Sequence, residues 1–199
     1  MDWQTRTAVY KARVQHVTGT SERIFKRSAL NIRNGAGVID KVLGSGRYRR
    51  VLEIGTYRGL TTAYMAQFCE KVITVDLLNG KLEQPGHQPH SRWDFWRDMG
   101  VADKIELKLV RDNEDKAVQL TGLEYDLAFI DAGKDDIAVD FELVKWCGTV
   151  LFHDYDYRDK ANGNPVYDFV NSLPKDQVTI MDIFALWEEG KRGQDNQTV

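Results

Sequence analysis

Cysteine is nearly absent: only Cys69 and Cys147 occur, far apart and without C-x-x-C spacing. They read as small buried hydrophobes in a reducing compartment. A basic excess is missing too, with 27 Lys and Arg against 30 Asp and Glu and a net charge of −3. Proteins that bind polyanions carry a basic face, so no nucleic-acid partner is expected. No apolar run approaches the ~20 residues of a bilayer span, so no membrane partner is expected either. The first residues, Met1-Asp2-Trp3-Gln4-Thr5-Arg6, lack the apolar stretch of a secretory leader, which predicts a cytoplasmic protein. What is present is ordinary for a globular chain, 42% hydrophobic and 29% charged over 199 residues. That length suits one domain with a core that needs no staples.

The chain divides into a helical N-terminal extension (1–45), a core (46–188) and a polar tail (189–199). The extension has helical spacing from Trp3 to Leu43, broken near Gly19-Thr20-Ser21. Ser21 is placed to cap a second helix through Ile24, Phe25 and Leu30. Gly35 and Gly37 weaken that helix, and Val38, Ile39, Val42 and Leu43 form another short apolar face. Apolar runs then predict strands at Val51–Ile54, Lys71–Asp76, Ile105–Val110, Tyr125–Asp131 and Thr149–His153. Between and after them, helices are predicted at Thr61–Phe68, Arg92–Met99, Glu114–Leu120, Ile137–Lys145 and Val166–Leu173. Val178–Ile183 and Ala185–Glu188 read as two more strands with no room for a crossover helix, so they should pair antiparallel. The expectation is an α/β fold: a doubly wound, mostly parallel, seven-stranded Rossmann-like sheet closed by a C-terminal antiparallel hairpin.

In such sheets ligands bind beyond the carboxyl ends of the strands. The informative residues are therefore Glu53-Ile54-Gly55, Asp76, Asp112-Asn113, Asp131 and His153-Asp154. The first turn, Glu53-Ile54-Gly55-Thr56-Tyr57-Arg58-Gly59, spaces its glycines G-x-x-x-G. It is neither the G-x-G-x-x-G of a dinucleotide site nor a G-K-[ST] phosphate loop. Glu53 beside that turn suits a cationic or amine-bearing ligand better than a pyrophosphate. Asp76, ending the second strand, is placed to accept hydrogen bonds from both hydroxyls of a ribose. Two carboxylates and an imidazole at one mouth, Asp131, Asp154 and His153, form a candidate divalent site.

The segment Val51-Leu52-Glu53-Ile54-Gly55-Thr56-Tyr57-Arg58-Gly59-Leu60-Thr61 resembles motif I of class I S-adenosylmethionine-dependent methyltransferases. Its E-I-G-T-[aromatic]-x-G form is similar to the catechol O-methyltransferase-like enzymes of small molecules, over roughly Val38 to Glu188. The resemblance implies S-adenosylmethionine as cofactor and a small-molecule substrate, with methyl transfer to a hydroxyl oxygen. It places Glu53, Gly55, Tyr57 and Gly59 around the methionine portion, Asp76 on the ribose, Asp112-Asn113 at the adenine and Asp131 beside the sulfonium. It further implies Mg²⁺ on Asp131 and Asp154, and Lys134 as general base. Tyr155, however, replaces the Asn that the metal site of those enzymes uses, so His153 is the alternative ligand or the base itself.

Other readings stay open beside this one. Relatives of the fold include cofactor-binding proteins without O-methylation activity and methyltransferases of macromolecules. The segment Asp131-Ala132-Gly133-Lys134 lacks the N/D-P-P-[YFW] of the nucleobase amino-group enzymes. His87 and His90 lie in a Pro-rich loop and read as solvated rather than metal-binding. Trp93, Phe95, Trp96 and Met99 form a helical stripe whose default role is core, with a lid over the cleft as second reading. Trp3 and Tyr10 are candidates for the same lid or for a homodimer contact through the N-terminal helices.

Overall fold

Parallel strands covered on both faces should be apolar throughout rather than alternating, and the central strands here are. β1 (Arg50–Ile54), β2 (Lys71–Leu77), β4 (Leu127–Ile130) and β5 (Thr149–Phe152) are buried along nearly their whole length. With β3 (Ile105–Val110), β6 (Val178–Met181) and β7 (Phe184–Glu188) they build one sheet of order β3-β2-β1-β4-β5-β7-β6. The first five strands run parallel, while β7 is antiparallel to both β5 and β6. The turn of that last hairpin is Asp182-Ile183, with Asp182 at φ 60°. In this computed structural model the described residues are 2–18, 28–30, 35–78, 92–155 and 163–190.

Among the described residues, seven α-helices cover the two faces. α1 (Trp3–Thr18), α2 (Gly35–Leu43), α3 (Leu60–Met65) and α4 (Arg92–Asp98) lie on one. α5 (Asn113–Leu120), α6 (Ile137–Val144) and α7 (Pro165–Ser172) lie on the other. The chain changes face between β2 on one side of β1 and β4 on the other, the switch point at which an open α/β sheet forms its crevice. No helix among the described residues is long and apolar enough to cross a membrane.

Several expectations need correction in detail. Ser28-Ala29-Leu30 form a turn rather than the end of a helix, and the rest of the proposed second helix lies outside the described residues. α2 begins at Gly35 and contains Gly37, because its inward residues Val38, Ile39, Val42 and Leu43 are all buried and outweigh glycine's poor propensity. Tyr10 is a core residue of its own chain, not a lid or a partner contact. Its ring packs edge-on against Tyr64 and its hydroxyl donates to the Leu60 carbonyl at 2.7 Å. The stripe along α4 and just beyond it is core as well, with Phe95, Trp96 and the following Met99 buried, while Trp93 stays exposed. His87, His90 and residues 191–199 lie outside the described residues.

Candidate active site

The carboxyl ends of β1, β2, β3 and β4, with the residues after β5, open onto a pocket of about 580 Å³. Its polar lining is dominated by carboxylates, Asp76, Asp131, Asp136, Asp140 and Asp154, with Lys116 among them. Val75, Leu77 and Val110 supply an apolar wall at the β2–β3 end. A smaller cavity shares Gly55, Tyr57 and Asp131 with this pocket and adds Ser28, Arg58 and Thr61.

Asp76 sits at the end of β2, and its two oxygens are already oriented. Arg92 donates to one at 2.8 Å and the Leu77 amide to the other at 3.0 Å. Burial raises its pKa, against the lowering influence of Arg92. The next group along the edge is different. Glu53 is fully buried beneath the turn, where Thr62 and Thr74 both donate to its Oε2 and Oε1 has no partner. Burial pushes this carboxyl up to about 8, in spite of the two hydroxyl donors. Glu53 therefore supports the turn from below rather than lining the pocket.

The turn's glycines are required by packing. Gly55 has φ 102°, and a Cβ there would lie 2.2 Å from the Asp131 carbonyl oxygen. Gly59 has φ 73°, and a Cβ there would strike the Trp96 indole at 2.6 Å. That indole N–H donates to the Gly59 carbonyl at 2.9 Å. Gly55 and the left-handed Tyr57 (φ 44°) do line the pocket, but Gly59 does not. A branched side chain at Gly55 would thus disturb the β1–β4 junction itself, not merely fill ligand space.

At the other end of the pocket, His153 follows β5 with its ring packed against the stacked pair Phe129 and Phe184. Its Nδ1 lies 2.7 Å from Asp131 Oδ1 and 3.3 Å from Asp154 Oδ1, while Nε2 is buried without a partner. Burial alone would lower the His153 pKa, but Asp131 and Asp154 carry it above the ordinary value. Lys134 Nζ lies 3.7 Å from Asp154 Oδ2. Asp154 is itself left-handed at φ 63°, a conformation that costs a non-glycine residue about 1 kcal/mol or more. Asn164 holds it there by donating to the carbonyls of Asp154 and Tyr155 at 3.1 and 2.9 Å.

A profile of the family described as O-methyltransferase matches residues 35–153. The chain belongs to the O-methyltransferase family. A catechol O-methyltransferase of Mycobacterium tuberculosis is 36% identical over 96 residues, which is 47% of this chain and 40% of that protein. The match thus spans less than half the length of that curated relative. Among solved structures, the O-methyltransferase TomG of Streptomyces achromogenes, in complex with SAM, has a TM-score of 0.60 at 19% identity. That alignment covers 94% of this chain and 98% of that one. The O-methyltransferase of Bacillus cereus, in complex with SAH, has a TM-score of 0.55 at 16% identity, covering 94% and 90%. These two share the fold.

Within this family frame, two expected residues do not themselves line the pocket, although Asn113 bonds to a residue that does. Asp112 caps α5 by accepting from the Asp115 amide at 2.8 Å, and Asn113 donates to Asp136 at 2.9 Å. Their place facing the pocket is taken by Lys116 and Asp140, a buried ion pair joining α5 to α6. Sequence reasoning missed this pair, although the signal existed. Lys116 stands four residues before the buried Leu120, and Asp140 shares the inward period of Ile137, Phe141 and Val144. Arg58, Arg92 and Asn164 were missed as well, and no local pattern marks them.

Proposed function

We propose that this chain is an S-adenosylmethionine-dependent methyltransferase that acts on a hydroxyl oxygen of a small molecule. One observation carries the reading. The pocket at the switch point joins an oriented carboxylate near the end of β2, a close-packed glycine turn after β1 and a cluster of further carboxylates. A ribose, an amino-acid tail and a positively charged sulfonium have complementary chemistry. The complexes of the Streptomyces and Bacillus relatives with SAM and SAH support the same reading.

When bound, S-adenosylmethionine supplies a methyl group already activated for transfer, so the residues here mainly hold and align. Asp76, braced by Arg92, accepts from the ribose hydroxyls. Val75, Leu77 and Val110 cover the nucleobase. Arg58 and Thr61, in the smaller cavity, face the carboxylate of the amino-acid tail, and Asp131 stands beside the sulfonium. Lys134 and Asp154 then define the acceptor end. The ammonium favours the deprotonated acceptor oxygen, and the carboxylate is placed to take up its proton. His153 does not line the pocket, and it acts through Asp131.

Calorimetry with S-adenosylmethionine and S-adenosylhomocysteine tests the assignment. Asp76→Ala should weaken binding by about 1.5–3 kcal/mol, the scale of a hydrogen bond to a charged group. Absence of binding by wild type rejects the reading, and an unchanged affinity removes Asp76 from it. With cofactor bound, mass spectrometry over a panel of phenols should show a gain of one methyl, lost in Lys134→Met while cofactor affinity is kept.

A further inference from the structure

The candidate cation site has a feature that sets it against Mg²⁺. Asp131, His153 and Asp154 bring one ligand atom each within 4.8 Å of one another. Mg²⁺ takes oxygen ligands at ~2.1 Å in octahedral geometry, which separates neighbouring ligands by about 3.0 Å. Here a ring nitrogen points at both carboxylates, and its 2.7 Å separation from Asp131 is that of a hydrogen bond with a proton between the two atoms. The ring is not free to turn aside. Phe129 and Phe184 pack against it, and the His153 amide donates to the Ile130 carbonyl at 3.0 Å. Asp154 meets Lys134 on its far oxygen. Tyr155, at the position where the resembling enzymes place an amide ligand, turns its ring onto Tyr167 at 5.1 Å between centroids. The donor set does not suit Mg²⁺.

We propose that the Nδ1–H of His153 stands where a divalent cation would bind between Asp131 and Asp154, and that the acceptor end of the pocket works without a metal. His153 is then a positioning residue. Its N–H draws the two carboxylates to a common point and fixes their direction, the structural task that a shared ion would otherwise perform. Only position 155 is a stated departure from the resembling enzymes: Tyr155 withdraws a ligand, while the His153 N–H occupies the ion's place. The inference takes from the methyltransferase reading only the assignment of this end to the acceptor.

Mn²⁺ is the probe, followed by the electron paramagnetic resonance signal of the free ion, with the full chain and no acceptor present. Wild type should show no saturable binding. His153→Ala frees both carboxylates and should bind Mn²⁺ saturably, at least about tenfold above any residual wild-type binding, the scale on which neighbouring groups shift a metal site. Adding Asp131→Asn should abolish that gain. His153→Leu, whose side chain suits the apolar surroundings of Phe129 and Phe184, gives a second arm if the alanine variant unfolds. Saturable Mn²⁺ binding by wild type overturns the proposal, and so does a folded His153→Leu or His153→Ala protein that gains nothing. Calorimetry of S-adenosylhomocysteine on wild type and on Asp76→Ala, neither of which alters the His153 cluster, reports separately on the methyltransferase reading.

Discussion

Glu53 is a carboxyl group that water does not reach, and this gives folding a pH dependence with a definite sign. Its pKa is about 8 in the folded chain against an ordinary 4.5. Below about pH 4.5 both states hold the proton; as pH rises the unfolded chain ionises first, so stability contributed by the neutral group is lost up to about pH 8 and then levels off. Glu53→Gln stays neutral throughout, so the wild-type decline should flatten in the variant. Urea unfolding at about pH 5, 6.5 and 8.5 measures both slopes. Asp76 and Asp140 are raised by burial in both proteins, so the difference isolates Glu53; equal slopes would disprove its role. The sequence marked Glu53, Asp76, Asp131 and Asp154 because a charge ending an apolar run is conspicuous. Asp112 caps α5 and Asn113 bonds to Asp136, and a capping carboxylate and a ligand-binding one look alike in one dimension. At Gly55 and Gly59 the structure adds an obstacle to a side chain that spacing does not reveal, the far-off Asp131 backbone and the Trp96 ring.

Elements were legible wherever burial has a period. All seven strands and the seven helices of the described residues follow from apolar runs and spacings, and the hairpin follows from a connection too short for anything else. Helix ends were less legible: α3 stops at Met65, three residues before the expected Phe68. Tertiary pairs between elements were not legible, and Lys116–Asp140 is the instructive case. Both side chains are almost wholly buried, at 6% and 0% exposure, and Asp140 Oδ2 has no partner. Such a pair contributes little net stability, yet removing one member strands the other. Asp140→Ala should therefore cost about 3–5 kcal/mol, while Lys116→Met with Asp140→Leu should recover most of it. Urea midpoints of Lys116→Met, Asp140→Leu and the double variant, beside Asp140→Ala, check this. A double variant as unstable as the sum of the singles would show that the pair does not act as a unit.

For the molecule as a whole, net charge is a poor guide to the pocket. A chain carrying −3 overall gathers five aspartates around one cavity, because the strand order brings residues 76, 131, 136, 140 and 154 to the same edge. That grouping exists only once the sheet is wound, and composition is blind to it. The indole of Trp96, wedged under Gly59, has a consequence in optical terms. It is wholly shielded from water, it touches the loop that walls the pocket, and Trp93 beside it is 47% exposed. A shielded indole emits to the blue and resists quenching by acrylamide, whereas an exposed one emits to the red and is readily quenched. A ligand that tightens the 55–59 turn should change the Trp96 component alone, and Trp96→Phe should erase the change while leaving the quenchable fraction in place. The protein thus carries its own lamp at the mouth of its pocket, and a fluorimeter can follow occupancy without any label.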